Sequence, residues 1–125
     1  MDDSYFQGNK FVKELSPNDF DPISTWKLKN KKCGIILFYK PTCPYCKEMK
    51  ETWIKLGETA AFFNVYSFNC TKYMNHMNKI GEDMPNLVTS YPTMIVYKLG
   101  EPKEQYEGDR SLKDLLNTTM RACKG

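Results

Sequence analysis

Cys43-Pro44-Tyr45-Cys46 places two thiols three residues apart, behind the apolar run Gly34-Ile35-Ile36-Leu37-Phe38-Tyr39 and ahead of a helix-like stretch. Such a pair at a helix start can carry two electrons between a dithiol and a disulfide. Cys43 falls at the N-cap, where unpaired backbone N–H groups and the helix dipole favour an anion. A thiol held there ionises at about 3.5–7.5 instead of about 8.5, so Cys43 is the expected nucleophile. Cys46, one turn on, faces the same side and is placed to attack the Cys43 sulfur and release a bound substrate. Pro44 at the first helical position costs no hydrogen bond and stiffens the turn. Lys40 and Lys47 either add helpful positive charge or are ordinary solvated lysines.

On a loose loop the same spacing would suggest zinc, but a zinc site needs a second close Cys or His pair and the chain has none. The expectation is therefore no metal and no cofactor beyond the Cys43–Cys46 couple itself. Five cysteines is an odd number. Cys33, Cys70 and Cys123 are scattered and read as small, partly buried thiols, not a disulfide framework. The single His76 reads as a surface residue.

A chain of 125 residues is one domain by size. The net charge of +3 is mild, and Lys outnumbers Arg by 16 to 2. That imbalance argues against a nucleic-acid reader, which uses Arg for bidentate contacts. With Asn and Tyr also frequent, it matches the residue usage of an AT-rich genome, and a viral source fits. No apolar segment approaches the length of a membrane span. The polar N-terminus does not resemble a secretory signal, and Ala122–Gly125 is no retrieval or prenylation sequence. These features lead to an expectation of a reducing, cytoplasmic setting, or a virion if the source is viral, and of a monomer or weak dimer.

Residues 1–12 read as a flexible arm ahead of one domain spanning 13–125. Ser16 or Asp21, each before a proline, can start a helix, and residues 22–29 with Ile23, Trp26 and Leu28 predict a short one. The run 34–39 predicts a central strand buried on both faces. Met49, Trp53, Leu56 and Ala60 predict a helix from Pro44 to about Ala61 with one buried stripe. Asn64–Asn69 reads as a strand, Thr71 as the cap of a helix ending at Gly81, and Thr93–Tyr97 as a strand. Lys103–Tyr106 pairs back as a hairpin, and Ser111 starts the last helix. Met74, Met77, Met84 and Leu87 read as helix packing, with a tolerant docking surface as the other reading.

Phe38-Tyr39-Lys40-Pro41-Thr42-Cys43-Pro44-Tyr45-Cys46-Lys47 resembles the active site of thioredoxins and of protein disulfide isomerase catalytic domains. Tyr91-Pro92-Thr93 resembles the cis-proline loop of that superfamily, and Tyr106–Ser111 the isomerase pattern. The likeness spans about residues 13–122, and Pro44-Tyr45 is the glutaredoxin dipeptide. The resemblance implies an α/β thioredoxin fold, with a mixed four- to five-stranded sheet flanked by about four helices. It also implies Arg110 as a group that lowers the second thiol, and Tyr91 with cis Pro92 beside Cys43. Pro44, Tyr45, Tyr91 and Pro92 would line the substrate groove. Departures are Leu37 where a buried acid is usual, Thr42 where a Trp is usual, and a longer Cys70–Pro92 segment.

The reading is a thiol-disulfide oxidoreductase acting on protein disulfides or thiols, re-reduced by a thiol reductant or a reductase. Two alternatives stay open: a glutaredoxin using glutathione as co-substrate, and a non-catalytic module that holds a partner in its groove.

Overall fold

The computed structural model describes residues 4–124; residues 1–3 and 125 lie outside the described residues. The fully apolar run forms β2 (Gly34–Tyr39), buried at every position. It is the middle strand of a five-stranded sheet ordered β1-β3-β2-β4-β5, completed by β1 (Lys13–Glu14), β3 (Asn64–Asn69), β4 (Thr93–Lys98) and β5 (Glu101–Gln105). β2 runs parallel to β3 and antiparallel to β4. A parallel pair needs a crossover, and α1 (Pro44–Thr59) supplies it. The β4–β5 hairpin turns at Leu99 and Gly100, whose φ angles of 56° and 81° are the two positive values a primed turn requires.

Alternation along β2 divides the core in two. Ile35, Leu37 and Tyr39 pack with Met49, Trp53 and Leu56 of α1 and Leu115 of α3 (Leu112–Lys124). Ile36 and Phe38 pack on the other face with Tyr66, Phe68, Ile95 and Tyr97, and Met77 of α2 (Met74–Asp83) lies against them. Trp53 Nε1 donates to the Tyr66 carbonyl at 2.9 Å, so the largest buried side chain keeps its polar atom satisfied.

Several expectations are corrected. Residues 22–29 form no helix: Ile23 is 85 % exposed, and the Asp21 carboxylate accepts the Ile23 and Ser24 N–H groups. Those two bonds would equally cap a helix, but the backbone beyond them closes into a loop: Asp21 N–H donates to the Lys27 carbonyl, Leu28 N–H to Gly100 and Lys29 N–H to Asp19, and Phe20 bridges to Leu28. Among the described residues, three α-helices and one 3-10 turn, Pro17–Asp19, accompany the sheet. Thr71 is not the helix cap: Asn69 Oδ1 accepts the N–H groups of Thr71 and Lys72 in a turn, and the helix begins at Met74 with Tyr73 at its N-cap. The helix then continues through Gly81 to Asp83. His76 is part-buried, not freely solvated. Its ring lies 4.9 Å from Phe20 and 5.5 Å from Phe68, and its Nε2 is 2.9 Å from the Thr25 carbonyl.

The expected arm does not stand apart from residue 4 onward. Phe6 and Val12 are each 1 % exposed and belong to the core under α1. Burying a Phe side chain gains roughly 1.5–3 kcal/mol, which offsets part of the entropy lost in ordering this segment.

Cys33 and Cys123 form a disulfide, with Cα atoms 5.7 Å apart and a sequence separation of 90. The expectation of isolated thiols is thus overturned for both. α3 packs on the sheet face that presents Ile35, Leu37 and Tyr39, which brings its last turn to the residue preceding Gly34; spacing along the chain carries no trace of this.

Candidate active site

β2 ends at Tyr39, and the chain reverses through Lys40-Pro41-Thr42, where the Cys43 N–H donates to the Lys40 carbonyl at 3.0 Å. Cys43 is the N-cap of α1 in extended conformation, and its carbonyl accepts the Lys47 N–H at 3.1 Å. Pro44 follows at the first helical position and Cys46 is fully buried one turn on. Across the groove, at the start of β4, the Tyr91–Pro92 bond is cis. The Cys43 thiol donates to the Tyr91 carbonyl at 3.6 Å.

The two thiols are held at different acidities. Burial pushes Cys43 up, but the Cys46 N–H, the Cys46 thiol, the Tyr45 N–H and the Arg110 guanidinium outweigh it, and the thiol falls below the ordinary cysteine range. Burial dominates at Cys46 and, with the adjacent Cys43, pushes it up to about 12 although the Lys40 backbone and Arg110 pull down. A thiolate is therefore favoured at the accessible sulfur and disfavoured at the deep one. That is the order a nucleophile and a resolving thiol need.

The structure thus brings together Cys43, Cys46, the Tyr91–Pro92 loop and the charge of Arg110. Pro44 and Tyr45 form the outer lip, with Tyr45 61 % exposed. Lys40 sits over the Tyr91 ring at 4.6 Å from its centroid, while Lys47 stays in solvent. The Tyr91 hydroxyl turns inward to the Cys70 thiol, which burial pushes far up. Tyr91 faces Cys43 through its backbone carbonyl, and the exposed ring at the lip belongs to Tyr45.

Two groups at the site carry no sequence signal. Tyr5 packs against the core that holds Cys43 and Cys46, donates its hydroxyl to the Pro41 carbonyl at 2.8 Å, and stacks on Tyr39 at 4.4 Å between ring centroids. Glu14 lies on the same cross-strand row as Leu37, since both pair with Ser67. Its Oε2 accepts the Tyr39 hydroxyl at 2.6 Å and the Phe6 N–H at 2.9 Å. An acid thus stands on this row two strands away from Leu37, where it anchors the N-terminal segment.

The Thioredoxin family profile matches residues 11–121. The chain belongs to the thioredoxin family. It is 32 % identical over 86 residues to a thioredoxin domain-containing protein 5 homolog of Drosophila melanogaster, covering 66 % of this chain and 20 % of that protein. It is 30 % identical over 89 residues to the protein disulfide-isomerase of Saccharomyces cerevisiae, covering 70 % of this chain and 16 % of that one. The chain thus spans a fifth or less of these relatives' length. Among solved structures, the J-Trx1 fragment of ERdj5 superposes with a TM-score of 0.78 at 21 % identity, over 96 % of this chain and 53 % of that one. The Trx4 domain of ERdj5 superposes with a TM-score of 0.70 at 18 % identity, over 90 % and 95 %. At those identities the superpositions establish the fold.

Proposed function

We propose that this chain is a thiol-disulfide oxidoreductase acting on protein substrates through Cys43 and Cys46. The observation that carries the reading is the placing of the two thiols, Cys43 part-exposed at a helix N-terminus and Cys46 fully buried one turn on, with their acidities shifted down and up accordingly. Family membership and relatives named as protein disulfide-isomerases support it.

The Cys43 thiolate attacks one sulfur of a substrate disulfide. A Cys43–substrate bond forms as the substrate S–S bond breaks, and the departing sulfur leaves with the electron pair and takes a proton. Cys46 then loses its proton and bonds to the Cys43 sulfur, and the mixed disulfide breaks. The substrate leaves as a dithiol, the enzyme as the Cys43–Cys46 disulfide, and an external thiol reductant or reductase returns the pair to the reduced state. In the groove, an extended substrate strand lies along the Tyr91 backbone and the exposed Tyr45 ring. Arg110 is the charged side chain that favours the thiolate form of both cysteines.

The Cys33–Cys123 bridge supports a setting in which disulfides persist. It weighs against the reducing cytoplasm suggested by the polar N-terminal residues. Stabilising the Cys43 thiolate also stabilises the reduced form, which makes a pair more oxidising. Equilibrating the protein with glutathione buffers and counting modified Cys43 and Cys46 by mass tests this. The expected midpoint is nearer the isomerase value of about −180 mV than the thioredoxin value of about −270 mV. A pair that never oxidises across that range contradicts the proposal.

A further inference from the structure

Tyr5 lies in a segment that sequence order makes look idle, yet its backbone, its hydroxyl and both sides of its ring are engaged. Its N–H donates to the Tyr39 hydroxyl at 2.9 Å, and its own hydroxyl donates to Pro41 in the turn leading into Cys43. Its ring stacks on Tyr39 and meets Phe6 edge-on at 5.9 Å. The ammonium of Lys50 lies over that ring at 4.7 Å. Lys50 follows Cys46 by four residues, so Tyr5 sits on the flank of α1 that carries the deep thiol. Behind it, Glu14 holds both the Phe6 N–H and the Tyr39 hydroxyl, so one carboxylate anchors the whole strap.

We propose that Tyr5, held by the strap of residues 4–14, is a positioning residue of the redox site. It fixes the Lys40–Thr42 turn through the Pro41 carbonyl and keeps water from Cys46, thereby setting how readily the resolving thiol loses its proton. The proposal rests on the reading of Cys43 and Cys46 as a redox pair. Two further observations agree with it. Both cysteines interact electrostatically with the Tyr5 hydroxyl, whose own ionisation is raised to about 12, chiefly by burial. Burial is also the dominant cause holding Cys46 protonated, and a residue that covers a buried thiol controls that cause directly.

The test follows iodoacetamide modification of Cys46 from pH 7 to 10 in the full chain carrying Cys43→Ala, with peptide masses separating Cys46 from Cys70. Adding Tyr5→Ala is expected to speed Cys46 modification about tenfold at pH 8 and to move its profile to lower pH, because water then solvates the thiolate. Glu14→Ala, which releases the strap without touching Tyr5, is expected to give the same shift within about threefold. Met77→Ala loosens the opposite face of the sheet and is expected to leave the profile in place, which separates this role from general destabilisation. A Tyr5→Ala profile that superimposes on its parent, or a Met77→Ala profile that moves as far, overturns the proposal. Failure of the underlying redox reading shows elsewhere: Cys43 of the unmodified chain would react no faster than free cysteine, whatever Cys46 does.

Discussion

Replacing Cys43 with serine is expected to reduce turnover of a protein disulfide by on the order of 10³-fold or more, because the thiolate, not a hydroxyl, is the nucleophile. Replacing Cys46 with alanine should also stop turnover, but for a different reason. Cys43 keeps its place at the helix end and still attacks, yet no neighbouring sulfur cleaves the mixed disulfide, so one substrate per enzyme accumulates in covalent linkage. Non-reducing electrophoresis of the two variants with an oxidised substrate reads both outcomes together. A Cys43→Ser protein that retains turnover, or a Cys46→Ala protein that traps nothing, contradicts the assignment of roles. A docking module would behave otherwise, keeping its partner without any covalent adduct in either variant.

The second large effect concerns stability. Changing Cys33 and Cys123 together to alanine opens a loop of 90 residues. The chain-entropy model assigns a closed loop of that length about 4.5 kcal/mol, and measured losses for native disulfides run about 2–5 kcal/mol. For a chain of this size the loss corresponds to a fall in melting temperature of about 10–20 °C. Reduced and oxidised forms of the unmodified chain should differ in the same direction. Because the bridge joins the start of β2 to the end of α3, the folded double variant should retain turnover per folded molecule. Guanidinium titration alongside a turnover assay separates the two properties. An unchanged denaturation midpoint would show that the bridge contributes nothing to stability.

How much of this was legible in the sequence follows from which forces are local. The run 34–39 and the stripe Met49, Trp53, Leu56 announce a buried strand and an amphipathic helix, because those periods are imposed by backbone geometry alone. The placing of Cys43 at a helix start follows from the same stripe. Residues 22–29 misled because a proline after Asp21 and the apolar Ile23 and Trp26 read as a helix start, while the backbone of Leu28 and Lys29 is tied to Gly100 and Asp19 instead of to the preceding turn. The disulfide was illegible for a different reason: Cys33 and Cys123 meet only once α3 has docked on the sheet, and nothing near either residue encodes that. Tyr5 and Glu14 belong to the same class. Each lies in a polar stretch, and each reaches the site through contacts formed across the folded sheet. The chemistry of the pair was local and readable; its support is tertiary and was not.

The central claim is that the end of α1 favours the thiolate of Cys43, and the pH profile of its alkylation tests it most directly. Each tenfold gain in thiolate fraction costs about threefold in intrinsic nucleophilicity, so the net acceleration at neutral pH is several-fold, not enormous. The reduced chain should therefore show Cys43 reacting several-fold faster than free cysteine at pH 7, with a plateau reached below the midpoint of about 8.5 that free cysteine follows. A Cys43 profile that rises along the free-cysteine curve, with no earlier plateau, would contradict the account.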